Sequence, residues 1–276
     1  MSAAPDIAFA RRSFSPGRLG AMVLRYLYLL RSSWPRALEL LYWPAIQMVL
    51  WGFTSQFLMT NSSYVARAGG VLLAAVMLWD VMFRGQLGVS ISFLEELWSR
   101  NLGHLFVSPL RPYEWVLSLL TMSLVRVMIG VVPAALLAIP LYHYSIFTLG
   151  LPLIAFFVLL LVMGWGLGLV IGALLLRHGL GAESLAWLAV FLLAPASAVY
   201  YPVSVLPVWL QYVAWTLPAA HVFEGMRAVM FEARFPLDHF LAAAALDAVY
   251  LVVGTIIFLI AFRHARERGA LLQMGE

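Results

Sequence analysis

The sequence predicts an all-α membrane protein with six transmembrane helices. The chain has 276 residues, of which 63% are hydrophobic and only 11% are charged, against about 25% charged residues in a soluble domain. The apolar residues form long continuous runs near the roughly 20 residues that a helix needs to cross the hydrocarbon core. A β-barrel would show many short alternating segments instead. Because backbone groups in lipid must be satisfied within their own segment, these runs are predicted to be helices.

A basic segment precedes the first apolar run, and we expect it to form a helix in the membrane interface. Arg18 and Arg25 are seven residues apart and share one helical stripe. The apolar side chains that can lie toward lipid are Leu19, Met22, Leu27 and Leu30. Pro35 is expected to end this helix. Residues 1–36 are therefore predicted to be a cytoplasmic tail and interfacial helix.

Six predicted spans follow, and with the tail they make a single transmembrane domain over residues 1–276. The predicted spans are residues 37–58, 68–89, 113–139, 151–176, 184–200 and 239–262. The fifth is short and is broken near Pro195. Between the last two spans, the apolar pieces that lie between prolines are too short to cross the bilayer. They are predicted to be re-entrant or interfacial helices at the outer surface.

The distribution of arginine sets the orientation. All 17 basic residues are arginine, and 12 of them fall in segments on the same side as both termini, against three on the other side and two within spans. The positive-inside rule therefore predicts cytoplasmic N- and C-termini. The same rule places residues 95–112 in the cytoplasm.

The residue types that are missing exclude several chemistries. Without lysine there is no Walker A lysine and no Schiff base, and without cysteine there is no disulfide, thiolate metal site or thiol nucleophile. His221 and Glu224 are three residues apart but have no third ligand at a usable offset. The dispersed arginines do not indicate nucleic-acid binding. We expect a protein that is not itself an enzyme and that binds neither a metal nor a cofactor.

Four charged residues lie within predicted spans. Asp80 and Arg84 are four residues apart on one helix face and can pair, and Arg126 is expected to pair with Asp80 or Asp247. Charges at this depth usually face protein or a water-filled path. They belong either to a transport pathway or to structural ion pairs that fix helix packing.

Glycine recurs every fourth residue in the fourth span, at Gly164, Gly168 and Gly172. One face of this helix therefore has no side chains, and we expect a neighbouring helix to pack closely against it.

Residues 93–106 have the pattern of one short amphipathic helix. The apolar positions are Leu94, Leu97, Trp98, Leu102, Leu105 and Phe106, and the polar ones are Glu95, Glu96, Arg100, Asn101 and His104. Pro109 and Pro112 set the segment apart from the third span. Such an element either lies on the membrane or docks a soluble partner.

Two stretches resemble the membrane subunits of ABC-2 type exporters. The stretch EELWSRNLGHLFVSPL, residues 95–110, is similar to that family's pattern of an acidic start, a glycine-containing apolar core and a closing Pro-Leu. The stretch LPAAHVFEGMR, residues 217–227, is similar to the family's block before the last span, with Pro218, Glu224, Gly225 and Arg227. The acidic start departs from the Glu-Arg-Glu-x-Gly that such families often carry.

The resemblance implies that residues 95–107 are a coupling helix that docks on an ATPase subunit. Its apolar face, with Leu97 and Leu105, would meet that subunit, which would bind ATP-Mg. The chain would work in a bacterial cytoplasmic membrane, embedded in lipid, as a homodimer or with a homologous permease. It would export a drug, lipid, glycolipid or polysaccharide-like substrate.

Two other classes stay open. The first is an ATP-independent secondary transporter or channel that uses the intramembrane charges as an ion relay, although the sequence shows one disrupted region where inverted repeats would give two. The second is a membrane scaffold without transport activity.

Overall fold

In the computed structural model, residues 14–61, 66–99 and 101–267 are described, and they form α-helices joined by short turns and 3₁₀ segments. The helices are α1 (Pro16–Ser32), α2 (Trp34–Asn61), α3 (Ala66–Trp98), α4 (Leu102–Val107), α5 (Pro112–Tyr142), α6 (Leu151–His178), α7 (Glu183–Ala196), α8 (Val208–Ala214), α9 (Pro218–Glu232) and α10 (Leu237–Glu267). The described part of the chain contains no strand. The predicted all-α class is therefore confirmed.

Within the described residues, four helices are long and apolar enough to cross a membrane. They are Gly70–Trp98, Pro112–Tyr142, Leu151–His178 and Leu237–Glu267. Helices α2 and α7 cover the other two predicted spans; α2 is long but more polar, and α7 is a shorter apolar helix. The presence of a multi-pass helical bundle is established, and the count of six spans stays a prediction.

Successive long helices run in opposite directions, so the bundle has two distinct ends. We call the end where α3 finishes and α5 begins the α4 end, and the opposite one the far end. Helix α1 lies at the α4 end, where Arg25 contacts Glu96. Helices α8 and α9 lie between the end of α7 and the start of α10, at the far end.

The centre of the bundle is formed by α6, which packs against α3 on one side and α10 on the other. A Cβ atom added at Gly164 would lie 2.6 Å from the carbonyl oxygen of Met82 in α3, and one added at Gly254 of α10 would lie 2.5 Å from that of Gly166 in α6. Both distances are far shorter than a van der Waals contact, so only glycine allows these backbones to approach. The predicted packing role of the glycine-rich face is confirmed.

Helix α1 has the predicted amphipathic character. The prediction that Met22 and Leu30 face lipid is wrong, because both are buried with Tyr26, at intervals of four residues, in the core at the α4 end. The helix ends at Ser32, before Pro35 rather than at it, and Pro35 lies in the first turn of α2. A proline is favourable there because a first-turn N–H has no helical partner in any case.

Two helices continue past the ends of the spans predicted for them. Helix α3 continues nine residues past the predicted end of the second span, to Trp98, because its last turns remain buried among α1, α5 and α10. Helix α5 continues through Pro140 to Tyr142. Of the predicted cytoplasmic tail, residues 1–13 lie outside the described residues.

Candidate functional site

The last turn of α3 carries two adjacent carboxylates that are buried. Glu95 is 5% exposed and Glu96 is fully buried. The carbonyl end of a helix carries a partial negative charge, so an unpaired carboxylate is unfavourable there. Both groups therefore require cations from other helices.

Glu96 is bound from two directions. The Arg25 guanidinium of α1 donates two hydrogen bonds to its two carboxylate oxygens, at 2.7 and 2.9 Å. The Asn101 side chain, which directly precedes α4, donates a third at 2.9 Å. One carboxylate thus joins α1, the end of α3 and the start of α4.

Glu95 is shared by two arginines from two further helices. Arg126 of α5 donates to one oxygen at 2.9 Å, and Arg36 of α2 donates to the other at 3.2 Å. The predicted partner of Arg126, Asp80 or Asp247, is therefore wrong. Local periodicity could not predict this pair, since Glu95 and Arg126 lie 31 residues apart on different helices.

The first turns of α1 and α5 form a third connection. Arg18 donates to both oxygens of Glu114, at 2.8 and 2.6 Å, and the backbone N–H groups of Ser15 and Arg111 donate to the same carboxylate. Glu114 was not singled out from the sequence. The signal was its position in a helix first turn, opposite the arginine stripe of α1.

A hydrogen bond between two aromatic side chains also holds α1 against α5. The indole N–H of Trp115 donates to the Tyr26 hydroxyl at 3.0 Å. Burial, followed by the nearby Glu96 charge, raises the pKa of Tyr26 well above its ordinary value. The hydroxyl therefore stays neutral and α1 stays attached by both polar and apolar contacts.

The predicted single amphipathic helix over residues 93–106 is wrong. Helix α3 ends at Trp98 and α4 begins at Leu102, and just after the end of α3 the Ser99 hydroxyl donates to the Glu95 carbonyl at 2.7 Å. Glu95, Glu96 and Leu97 therefore belong to α3, and only the six-residue helix α4 follows the break. Arg100 and the side chain of Phe106, both predicted site residues, lie outside the described part.

The exposed face of this region also differs from the predicted apolar face. Leu97 and Leu102 are 3% and 2% exposed and belong to the core, and Leu105 is half-buried against it. Trp98, His104 and Pro109 are exposed. We call these three residues the α4 face.

Within α3, Asp80 and Arg84 form the predicted ion pair, with Nε of Arg84 2.5 Å from a carboxylate oxygen. Both residues are buried. Asp247 of α10 is also buried, and its carboxylate has no hydrogen-bond partner among the described residues. The four predicted intramembrane charges therefore do not form one cluster.

The block at residues 217–227 lies at the far end, where its two charged residues bind the loop that follows α7. Arg227 donates to the carbonyl oxygens of Ala198 and Tyr201 and lies 3.6 Å from Glu224. Glu224 in turn accepts the Val203 N–H at 2.6 Å. These contacts give hydrogen-bond partners to backbone groups of the loop that follows α7.

The remaining two residues of the block shape α9. Pro218 opens the helix, and Gly225 packs against Phe156 and Pro236, where a Cβ would lie 3.3 and 3.1 Å away. Among the described residues, no group of three or more His, Asp or Glu side chains could hold a metal ion. The predicted site residues thus fall into two separate groups. One is the polar network at the α4 end, and the other holds the loop after α7 at the far end.

The fold and these sites define a multi-pass helical membrane protein with a charged network at one end of the bundle. A family model described as ABC-2 type transporter matches residues 27–231. That match spans most of the chain, so the protein belongs to the ABC-2 type transporter family, a membrane transport component. None of the curated proteins compared with the chain matches it.

Proposed function

We propose that the chain is the transmembrane subunit of an ATP-driven exporter, with α4 and its surroundings docking on a separate ATPase subunit. The α4 end is then cytoplasmic, in keeping with the arginine distribution. The substrate would be a drug, lipid, glycolipid or polysaccharide-like molecule. Membership of the ABC-2 family supports the general class.

The observation that carries the proposal is the charged network at the base of α4. Glu96 contacts Arg25 and Asn101, while the neighbouring Glu95 contacts Arg36 and Arg126. A displacement of α4 would therefore be transmitted to α1, α2, α3 and α5 together. Motion imposed by a partner at this end would reach most of the bundle, as an exporter driven from outside requires.

The α4 face supplies the surface for that partner. His104 and Pro109 are exposed on either side of the half-buried Leu105, and Trp98 is 44% exposed. Leu97 cannot be part of a docking surface because it is buried in the core. A substitution at Leu97 would test folding rather than docking.

We further propose that two copies, or this chain and a homologous permease, enclose the pathway, with six spans in each. The chain has no lysine, so a Walker A motif has to come from another subunit. An ATP-independent ion relay has less support, because Asp80–Arg84 and Glu95–Arg126 are separate pairs in which opposite charges already neutralise each other.

Affinity purification of the full chain in mild detergent tests the ATPase docking. We expect a nucleotide-binding subunit to co-purify in stoichiometric amount and to hydrolyse ATP. His104→Glu should strongly reduce its recovery, because it places a charge on the α4 face. Tyr212→Glu is the matched control, since Tyr212 is exposed at the far end.

Two results would contradict the assignment. Equal recovery of the ATPase subunit with His104→Glu and with the unmodified chain would show that α4 is not the docking element. Absence of any ATPase subunit in mild detergent would favour the ATP-independent class.

A further inference from the structure

A cavity of about 280 Å³ lies among α2, α3, α5 and α7. Much of its wall is aromatic, with Trp43 from α2, Phe83 from α3, and Trp187 and Phe191 from α7. Its size is close to the lower limit of about 300 Å³ for ligand pockets, and such pockets usually combine apolar walls with a few polar groups. The space is sufficient for a headgroup and the first part of an apolar chain.

The polar groups of this cavity are mainly those of the Glu95 network. Arg36, Glu95 and Arg126 all line it. Two guanidiniums share the one Glu95 carboxylate, one from the buried Arg126 and the other from Arg36, whose side chain is 44% exposed. Arg84, which also lines the cavity, is neutralised by Asp80.

Arg126 has hydrogen-bonding capacity to spare. Its side chain is 5% exposed, and its Nε has no hydrogen-bond partner in the described part of the chain. A buried donor without a partner is costly, especially on a charged group. An anionic acceptor in the cavity would satisfy this donor with a charge-assisted hydrogen bond.

Two further carboxylates line the cavity and could oppose an anion. Glu39 is exposed and Glu183, the first residue of α7, is partly exposed. Hydration screens exposed charges, whereas the charge of Arg126 is screened much less. The preference for an anionic acceptor therefore comes from the unpartnered Nε donor of Arg126 in the buried corner.

We propose that this cavity binds an amphiphile with one anionic headgroup, a phosphate or a carboxylate. The headgroup would contact Arg36 and Arg126, and the apolar body would lie along Trp43, Trp187 and Phe191. The proposal rests on the proposed export function for its biological meaning, and it narrows the substrate class to acidic amphiphiles.

Binding of decyl phosphate to the purified full chain, in an uncharged detergent and without any ATPase subunit, tests this inference. Native mass spectrometry or titration calorimetry should show saturable binding. Arg36→Gln should weaken it about tenfold or more, since a charge-assisted hydrogen bond contributes about 1.5–3 kcal/mol. Arg36 is used because its side chain is 44% exposed, whereas Arg126→Gln would leave the buried Glu95 with only that exposed partner.

Arg31→Gln is the matched control, because Arg31 is an exposed arginine in the last turn of α1 and does not line the cavity. It should bind decyl phosphate as the unmodified chain does. Leu40→Trp, which adds bulk from α2 to the cavity wall, should also reduce binding. Circular dichroism would confirm that each variant retains its helices.

Three results would overturn the proposal. They are equal affinity for decyltrimethylammonium, equal affinity for inorganic phosphate alone, and unchanged decyl phosphate binding by Arg36→Gln. The second result would assign the site to a free anion rather than to an amphiphile. Because no ATPase subunit is present, failure here leaves the docking proposal intact, and failure of co-purification leaves this binding result intact.

Discussion

At the scale of single residues, Glu96 shows how a buried charge is retained at an unfavourable position. It is fully buried at the carbonyl end of a 33-residue helix, and its oxygens are occupied by Arg25 and Asn101. Removing one partner of a buried pair is usually far more destabilising than removing both, because the remaining charge has lost its solvation. This asymmetry can be measured.

We expect Arg25→Ala to lower the free energy of unfolding by about 2 kcal/mol, less than for a fully buried pair because the Arg25 side chain is 32% exposed. The double variant Arg25→Ala, Glu96→Gln should recover part of that loss. The double-mutant cycle consists of the unmodified chain, the two single variants and the double variant. Denaturant titration of all four in one detergent gives the coupling free energy between Arg25 and Glu96. Additive effects of the two substitutions would contradict a direct interaction.

Arg234→Ala is the control for this cycle. Arg234 also forms an ion pair, with Glu232, but both side chains are more than half exposed. Exposed pairs contribute little because solvent screens them. Its removal should leave the unfolding midpoint unchanged.

At the scale of helices, the contact between α3 and α6 depends on the absence of side chains on one face of α6. We expect Gly164→Ala to destabilise the bundle by about 1–3 kcal/mol, since its new methyl group would overlap the Met82 carbonyl and overpacking has costs of this order. The unfolding midpoint in detergent is the measurement.

Gly20→Ala is the matched control for the same chemical change. Gly20 lies in α1, and a Cβ there would meet nothing within 4 Å. Because alanine is the better helix former, this variant should be at least as stable as the unmodified chain. A comparable loss of stability in both variants would show that the α3–α6 contact is not the cause.

The helices were predictable from the sequence to different degrees, and the reason is physical. The amphipathic α1, the glycine face of α6 and the Asp80–Arg84 pair follow local periodicity, which the sequence records directly. The end of α3 cannot be read from local periodicity, because the same amphipathic pattern suits both a separate short helix and the last turns of a longer helix.

The network at the α4 end was not predictable for a related reason. Arg25 and Glu96 are 71 residues apart, and Arg18 and Glu114 are 96 apart. Such pairs depend on which helices become neighbours, and every arginine near a membrane boundary has several acidic residues within reach in an unfolded chain. The arginine distribution placed Arg18, Arg25 and Glu96 on one side of the membrane, and only the packing assigned the partners.

At the scale of the whole molecule, the orientation of the bundle can be tested directly because the chain has no cysteine. A single introduced cysteine is then the only thiol that a maleimide can label. We expect Ser204→Cys, exposed in the loop before α8, to be labelled in intact cells by an impermeant maleimide.

Ser32→Cys, exposed at the end of α1, should react with the same reagent only after the membrane is permeabilised. The contrast follows from the predicted cytoplasmic location of the α4 end. Labelling of both positions in intact cells would contradict that orientation. Labelling of Ser204→Cys only after permeabilisation would contradict the six-span arrangement.

The length of α3 has a mechanical consequence. Its 33 residues make a rod of about 50 Å, appreciably longer than the roughly 30 Å hydrocarbon core. The glycine contacts with α6 lie near its middle, while its carboxylates are fixed at one end. Such a rod is suited to act as a lever with a central fulcrum, and a rotation of about 5° would displace its two ends by about 2 Å in opposite directions.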